Sequence, residues 1–62
     1  MTPIKIKVVR SHEYPKPYHV IKVFENGQEL IWTAHIVRRA AMSKGQFEAK
    51  RFKCPIEVGE LK

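Results

Sequence analysis

Glu25-Asn26-Gly27 separates two runs rich in apolar and β-branched residues, Tyr18 to Phe24 and Gln28 to Trp32. Asn-Gly is the preferred pair for a two-residue hairpin turn, because both central positions need positive φ. A turn centred on Asn26-Gly27 sets Val23 opposite Leu30 and Ile21 opposite Trp32. Those four side chains then share one apolar face, while Lys22, Phe24, Glu29 and Ile31 share the other. The hairpin Tyr18 to Trp32 therefore predicts an antiparallel sheet covered on one side, with Trp32 in the core.

The N-terminal run Pro3-Ile4-Lys5-Ile6-Lys7-Val8 alternates apolar and basic residues, which is the period of a half-buried strand. Ile4, Ile6 and Val8 are expected in the core. Lys5 and Lys7 are expected in solvent, where lysines along an edge strand block edge-to-edge pairing. Tyr14-Pro15-Lys16-Pro17-Tyr18 reads as a stiff extended connection, since each proline fixes its own φ and restricts the residue before it.

From Thr33 the period changes. On a helix Ala34, Ile36, Val37, Ala40 and Ala41 fall on one half of the wheel, with Thr33 as N-cap. Ser43-Lys44-Gly45-Gln46 has capping-box spacing and can open a second helix to Lys53. Phe47 and Phe52 would lie about 140° apart on it, so its apolar face is poorly focused and a strand competes. Pro55 ends either element, and Ile56 to Leu61 can add a short edge strand. The expected fold is α+β: a small antiparallel sheet, built from the hairpin and an N-terminal strand, packed on an amphipathic helix, with a basic second helix or strand. All 62 residues are expected to form a single small domain.

Charge is the strongest compositional signal. The net charge is +6, and residues 38–53 hold six basic groups against Glu48 alone, a net of +5. Clustered Lys and Arg with a high pI fit an electrostatic footprint for nucleic acid. The same +6 also lies within the range of about 2–8 that keeps any small domain soluble. A single cysteine argues against a disulfide-stapled scaffold and suits a reducing cytoplasm. No stretch is apolar enough to span a membrane, and the alternating lysines near the N-terminus do not make a signal peptide.

Ala41 to Lys53 resembles part of the helix-turn-helix of AraC-type regulators, a family in which Ser opens the recognition helix and aromatic residues anchor it. The resemblance covers 13 of the 62 residues. It implies a DNA-binding element with Lys44 and Gln46 at the start of the helix that faces the major groove. Gln can bond adenine, and Lys can bond guanine O6 or N7.

Catalytic chemistry is not expected. Ser11 and His12 are adjacent without forming a nucleophile–base pair. His12, His19, His35 and Cys54 lack zinc-ligand spacing, there is no glycine-rich phosphate loop, and no cofactor is expected. Cys54 beside Lys53 invites a lowered thiol pKa, against which stands its reading as a small half-buried apolar residue.

The leading expectation is a small, non-catalytic DNA-binding protein, regulatory or architectural. Arg38, Arg39, Lys44, Gln46, Lys50, Arg51 and Lys53 would make the contacts, with DNA favoured over RNA. The alternative is an inhibitor or adaptor, of phage or mobile-element style, docking on an acidic protein surface. A third reading is an all-β barrel, or a sheet face bearing Lys5, Lys7, Lys22, Tyr18 and Phe24 that stacks single-stranded bases. So short a chain has a thin core, which dimerisation would reinforce.

Overall fold

The computed structural model describes residues 2–12 and 15–59. Four strands and one helix follow in the order β1 (Lys5–Arg10), β2 (Tyr18–Val23), β3 (Glu29–His35), α1 (Arg38–Phe52) and β4 (Ile56–Val58). They form one sheet of order β3-β2-β1-β4, in which β1 pairs antiparallel with β2, β2 antiparallel with β3, and β1 parallel with β4. The architecture is α+β with a mixed sheet. A parallel pair cannot be closed by a tight turn, so the chain leaves β3 at one edge, crosses the sheet as α1, and returns as β4 at the other.

β1 follows the alternation of its sequence. Ile6 and Val8 are fully buried under α1, together with Val20 of β2 and Ala41 and Ala49 of the helix. Ile4, expected beside them, is half exposed. Lys5 and Lys7 turn to the uncovered face and pair with Glu57 at 3.2 Å and Glu29 at 3.5 Å. Because β1 lies between β2 and β4, these lysines do not protect an edge. Tyr14 lies outside the described residues. The connection it belongs to closes with the Ser11 amide donating to the Pro17 carbonyl at 2.7 Å.

The hairpin forms where expected, one residue out of the expected register. Its loop has three residues rather than two. The Phe24 amide donates to the Gln28 carbonyl and the Gly27 amide to the Phe24 carbonyl, both at 2.9 Å. Gly27 takes a φ of 86°, and Asn26 Oδ1 accepts from the Gln28 amide at 3.0 Å. Such loops use one residue in left-handed conformation, which glycine supplies without strain. Val23 therefore faces Glu29, Lys22 faces Leu30 and Ile21 faces Ile31. A one-residue slip exchanges the faces of a strand. It sends Val23 and Ile21 to the side away from the helix and puts Lys22 under it.

A second irregularity follows. Val20 pairs with Thr33 while Ile21 pairs with Ile31, so Trp32 is an extra residue in β3. Such a bulge re-aims side chains, and Trp32 is 44% exposed rather than in the core.

The helix also starts later than the wheel suggests. Ile31, Thr33, Ile36 and Val37 are β-branched and suit extended backbone. β3 runs on to His35, and Thr33 Oγ1 lies 2.9 Å from His35 Nε2. Thr33 is therefore a strand residue, not a cap. Val37 precedes α1 with φ −115° and ψ 145°, and no side chain caps the helix. From Arg38 one helix runs without a break to Phe52, so the expected pair of elements meeting at Ser43 is absent. Ser43 to Gln46 are mid-helix.

Gly45 lies where α1 approaches the sheet most closely. A Cβ at this position would lie 2.5 Å from Val8 Cγ2 and 3.2 Å from Ile56 Cδ1. The glycine lets α1 sit directly on β1 and β4. At the far end Lys53 adopts the left-handed conformation, with φ 54° and ψ 43°. The Cys54 amide then donates to the Ala49 carbonyl at 3.0 Å, which ends the helix before Pro55.

Gly45→Ala should lower stability. Overpacking costs about 1–3 kcal/mol, and the roughly 1 kcal/mol of helix propensity gained only partly offsets it. A lower denaturation midpoint with an unchanged m-value is the expected result.

Candidate functional site

α1 turns Ala41, Gly45, Glu48 and Ala49 to the sheet, with Phe52 half-buried one turn on. Spacings of four, three, one and three residues define one helical face. A carboxylate therefore occupies the middle of a face otherwise made of small side chains and an aromatic ring. Glu48 is 0% exposed.

Its partner comes from the centre of the sheet. Lys22 is 6% exposed, and its Nζ lies 3.6 Å from Glu48 Oε2. Lys44 Nζ lies 3.3 Å and Arg51 Nη1 3.9 Å from Glu48 Oε1. Neither carboxylate oxygen has a hydrogen-bond partner among the described residues, so the group is held by charge. Lys22 Nζ also sits 3.5 Å from the centroid of the Trp32 ring and 4.7 Å from that of Phe52. Ring faces are negative, so they complete the surroundings of a cation withdrawn from water.

The arrangement divides the basic cluster. Lys44 and Arg51 are drawn toward Glu48, and Arg51 also lies over the Phe52 ring at 5.2 Å. Arg38, Arg39, Lys50 and Lys53 are exposed and have no carboxylate partner among the described residues. Arg39, Ser43, Gln46 and Lys50 are all exposed at spacings of four, three and four, so they form one line along the outer face of α1. Arg38 stands at the start of this line and Lys53 just past its end. Of the seven residues singled out from the sequence, five thus lie on or beside one solvent face, and two flank the buried carboxylate.

The recognition-helix arrangement is overturned. Gln46 is mid-helix, and Lys44 is committed to Glu48. The sheet-stacking alternative is also dispersed. Tyr18 and Lys22 lie on the helix side, Lys22 buried, while Lys5 and Lys7 are paired on the other side. Phe47, expected from the sequence only as part of a poorly focused apolar face, is 60% exposed beside Lys44, whose Nζ is 5.3 Å from its ring centroid.

Cys54 is half-buried. Burial pushes its thiol pKa up, and a backbone hydrogen bond opposes this less strongly. The lowered pKa suggested by Lys53 is not found. Among the described residues no group of three His, Cys, Asp or Glu is placed to hold a metal ion, and no helix is long and apolar enough to cross a membrane. No known family matches the sequence, and no curated protein or solved structure matches it either.

Two outcomes are expected. Glu48→Gln, which leaves Lys22 buried without its counter-charge, should cost about 3 kcal/mol. Combining Lys22→Met with Glu48→Leu should recover more than half of that loss, as read from denaturation midpoints of all variants. Alkylation of Cys54 should be slow at neutral pH and accelerate only above the pH at which an ordinary thiol ionises, since the thiolate is the reactive form.

Proposed function

We propose that this chain is a small, non-catalytic nucleic-acid-binding protein that grips duplex DNA through the outer face of α1. The observation that carries the reading is the set Arg38, Arg39, Lys50 and Lys53, exposed and without carboxylate partners among the described residues, with Gln46 on the same face. Phosphate contacts supply most of the sequence-independent affinity for DNA, and cations free of internal partners are the ones able to make them.

Helix energetics support the same reading. The first turn of α1 holds no acidic residue and two arginines. Cations there oppose the helix dipole, which favours anions at an N-terminus. Arg38 and Arg39 thus disfavour the helix that carries them, so stability does not explain their position. A phosphate contact does, since the uncapped amides of that turn also attract anions. Base readout by Lys44 has no place in this scheme, because its ammonium is turned toward Glu48. The contact is with the backbone, as suits an architectural or accessory role.

Docking on an acidic protein surface is the second reading. Phe47 favours it, because an aromatic ring 60% exposed beside Lys44 resembles an interface anchor. Pull-down with and without nuclease separates the two readings.

If all four cations neutralise phosphates, the slope of log K against log salt should be about −3.6. A gel shift with mixed-sequence duplex over a salt series measures it, and absence of any shift at low salt would remove the proposal. Arg38→Glu with Arg39→Glu provides a sharper test. These changes should weaken binding and flatten the slope, yet raise stability by a few tenths to about 1 kcal/mol through the dipole.

A further inference from the structure

The edge of the sheet at β3 carries none of the usual protection except its bulge. Natural edge strands are blunted by lysine, by proline, by shortness or by a covering segment. β3 is seven residues long and contains neither lysine nor proline. Among the described residues nothing in the sheet lies beyond it. Leu30 and Ile31 are each 49% exposed and Trp32 44%, and exposed Ile36 and Val37 continue the apolar strip past the strand. The opposite edge differs. β4 has only three residues.

We propose that this edge is the contact between two copies of the chain, paired antiparallel through β3 to form one continuous sheet. Three observations select a second copy as the occupant. First, the strand has Glu29 at one end and His35 at the other. Antiparallel pairing centred on Trp32 sets Glu29, which Lys7 also engages, against His35 at both ends of the contact, whereas an in-register parallel pairing sets like against like. Second, residues 23–37 form the longest stretch without Lys or Arg in a chain of net charge +6. The strand contributes no cation of its own, and its neighbours Lys7 and Lys22 are engaged by Glu29 and Glu48, so two copies repel least where they meet along it. Third, the core is thin: its fully buried hydrophobic side chains are the aliphatic Ile6, Val8, Val20 and Ala41, and the charged Glu48 is buried beside them. A small domain of this kind gains most from burying further apolar surface by association.

The geometry also sets the strength of the contact. Seven residues of strand are about 24 Å long. Strand pairing over that length, with Leu30, Ile31 and Trp32 from each copy, makes an interface at the small end of the specific class. The dimer therefore exchanges with monomer and depends on concentration. The two-fold axis of an antiparallel pair stands perpendicular to the sheet, so both helices lie on the same face of the joined sheet. The inference rests on the edge alone and does not require the DNA reading.

Sedimentation or light scattering tests it over about 1 µM to 1 mM, the span in which so small an interface associates. The wild-type mass should rise from 7.3 kDa toward twice that value. Leu30→Lys and Ile31→Lys, one on each side of the strand, should each hold the protein at the monomer mass while circular dichroism stays unchanged. Val58→Lys at the other edge should still dimerise. Intermolecular nuclear Overhauser effects across β3 in a mixed-labelled sample would place the contact directly, including when a variant fails to fold. A wild type that stays monomeric throughout, or a dimer that survives both β3 substitutions, would overturn the proposal.

Discussion

A lysine and a glutamate meet where a domain of this size would ordinarily place two aliphatic side chains. Lys22 rises from the middle of the sheet, Glu48 descends from the middle of the helix, and both are nearly or completely buried. Withdrawing two charges from water is expensive, and their attraction repays it only with close geometry and further support. Here that support comes from Lys44 and Arg51 on the acid and from the Trp32 and Phe52 rings on the base. Such a pair adds little net stability over an apolar alternative. It does fix orientation, because any rotation of α1 about its axis would bury one charge without the other.

That orientation decides what the molecule shows to solvent. With Glu48 inward, Ala41, Gly45 and Ala49 must face the sheet, and only small side chains let the backbone approach closely enough for a carboxylate to reach Lys22. The same constraint turns Arg39, Ser43, Gln46 and Lys50 outward. The free cations and the neutral β3 edge then occupy different parts of the surface. One is suited to a polyanion and the other to a second copy of the chain. Antiparallel pairing at the edge would bring both basic helices to one face, so the two proposed contacts are compatible.

Much of the fold is legible in the sequence. The alternation in β1, the hairpin about Asn26-Gly27, the stop at Pro55 and the short last strand all rest on local chemistry that tertiary contacts do not override. Register is harder to read. Asn-Gly serves both two-residue and three-residue loops, and choosing the shorter one transfers Val23, Ile21 and Lys22 to the wrong faces. Trp32 moves with them, helped by a bulge that has no sequence mark of its own. The helix start was obscured because Ala34, Ile36, Val37, Ala40 and Ala41 satisfy a helical wheel, while the β-branched residues among them prefer the strand. The burial of Glu48 is the feature least legible in the sequence. A single acid among six cations reads as a solvated counter-charge, yet its i,i+4 and i,i+3 spacing to Lys44 and Arg51 was visible. So was the row of small residues around it that marks a buried face. The basic residues of 38–53 fall on α1 and its C-cap. Their division into engaged and free cations depends on which way Glu48 points.

One buried carboxylate holds α1 in place and, in the proposed function, leaves Arg38, Arg39, Lys50 and Lys53 free to meet phosphate. Backbone amide and arginine side-chain NMR signals, followed while mixed-sequence duplex DNA is added at low salt, test it most directly. Perturbations should concentrate on Arg38, Arg39, Gln46, Lys50 and Lys53, leave Glu48 and the sheet signals unmoved, and reverse on addition of salt. Shifts centred on the uncovered sheet face, or a spectrum that ignores the DNA, would contradict it.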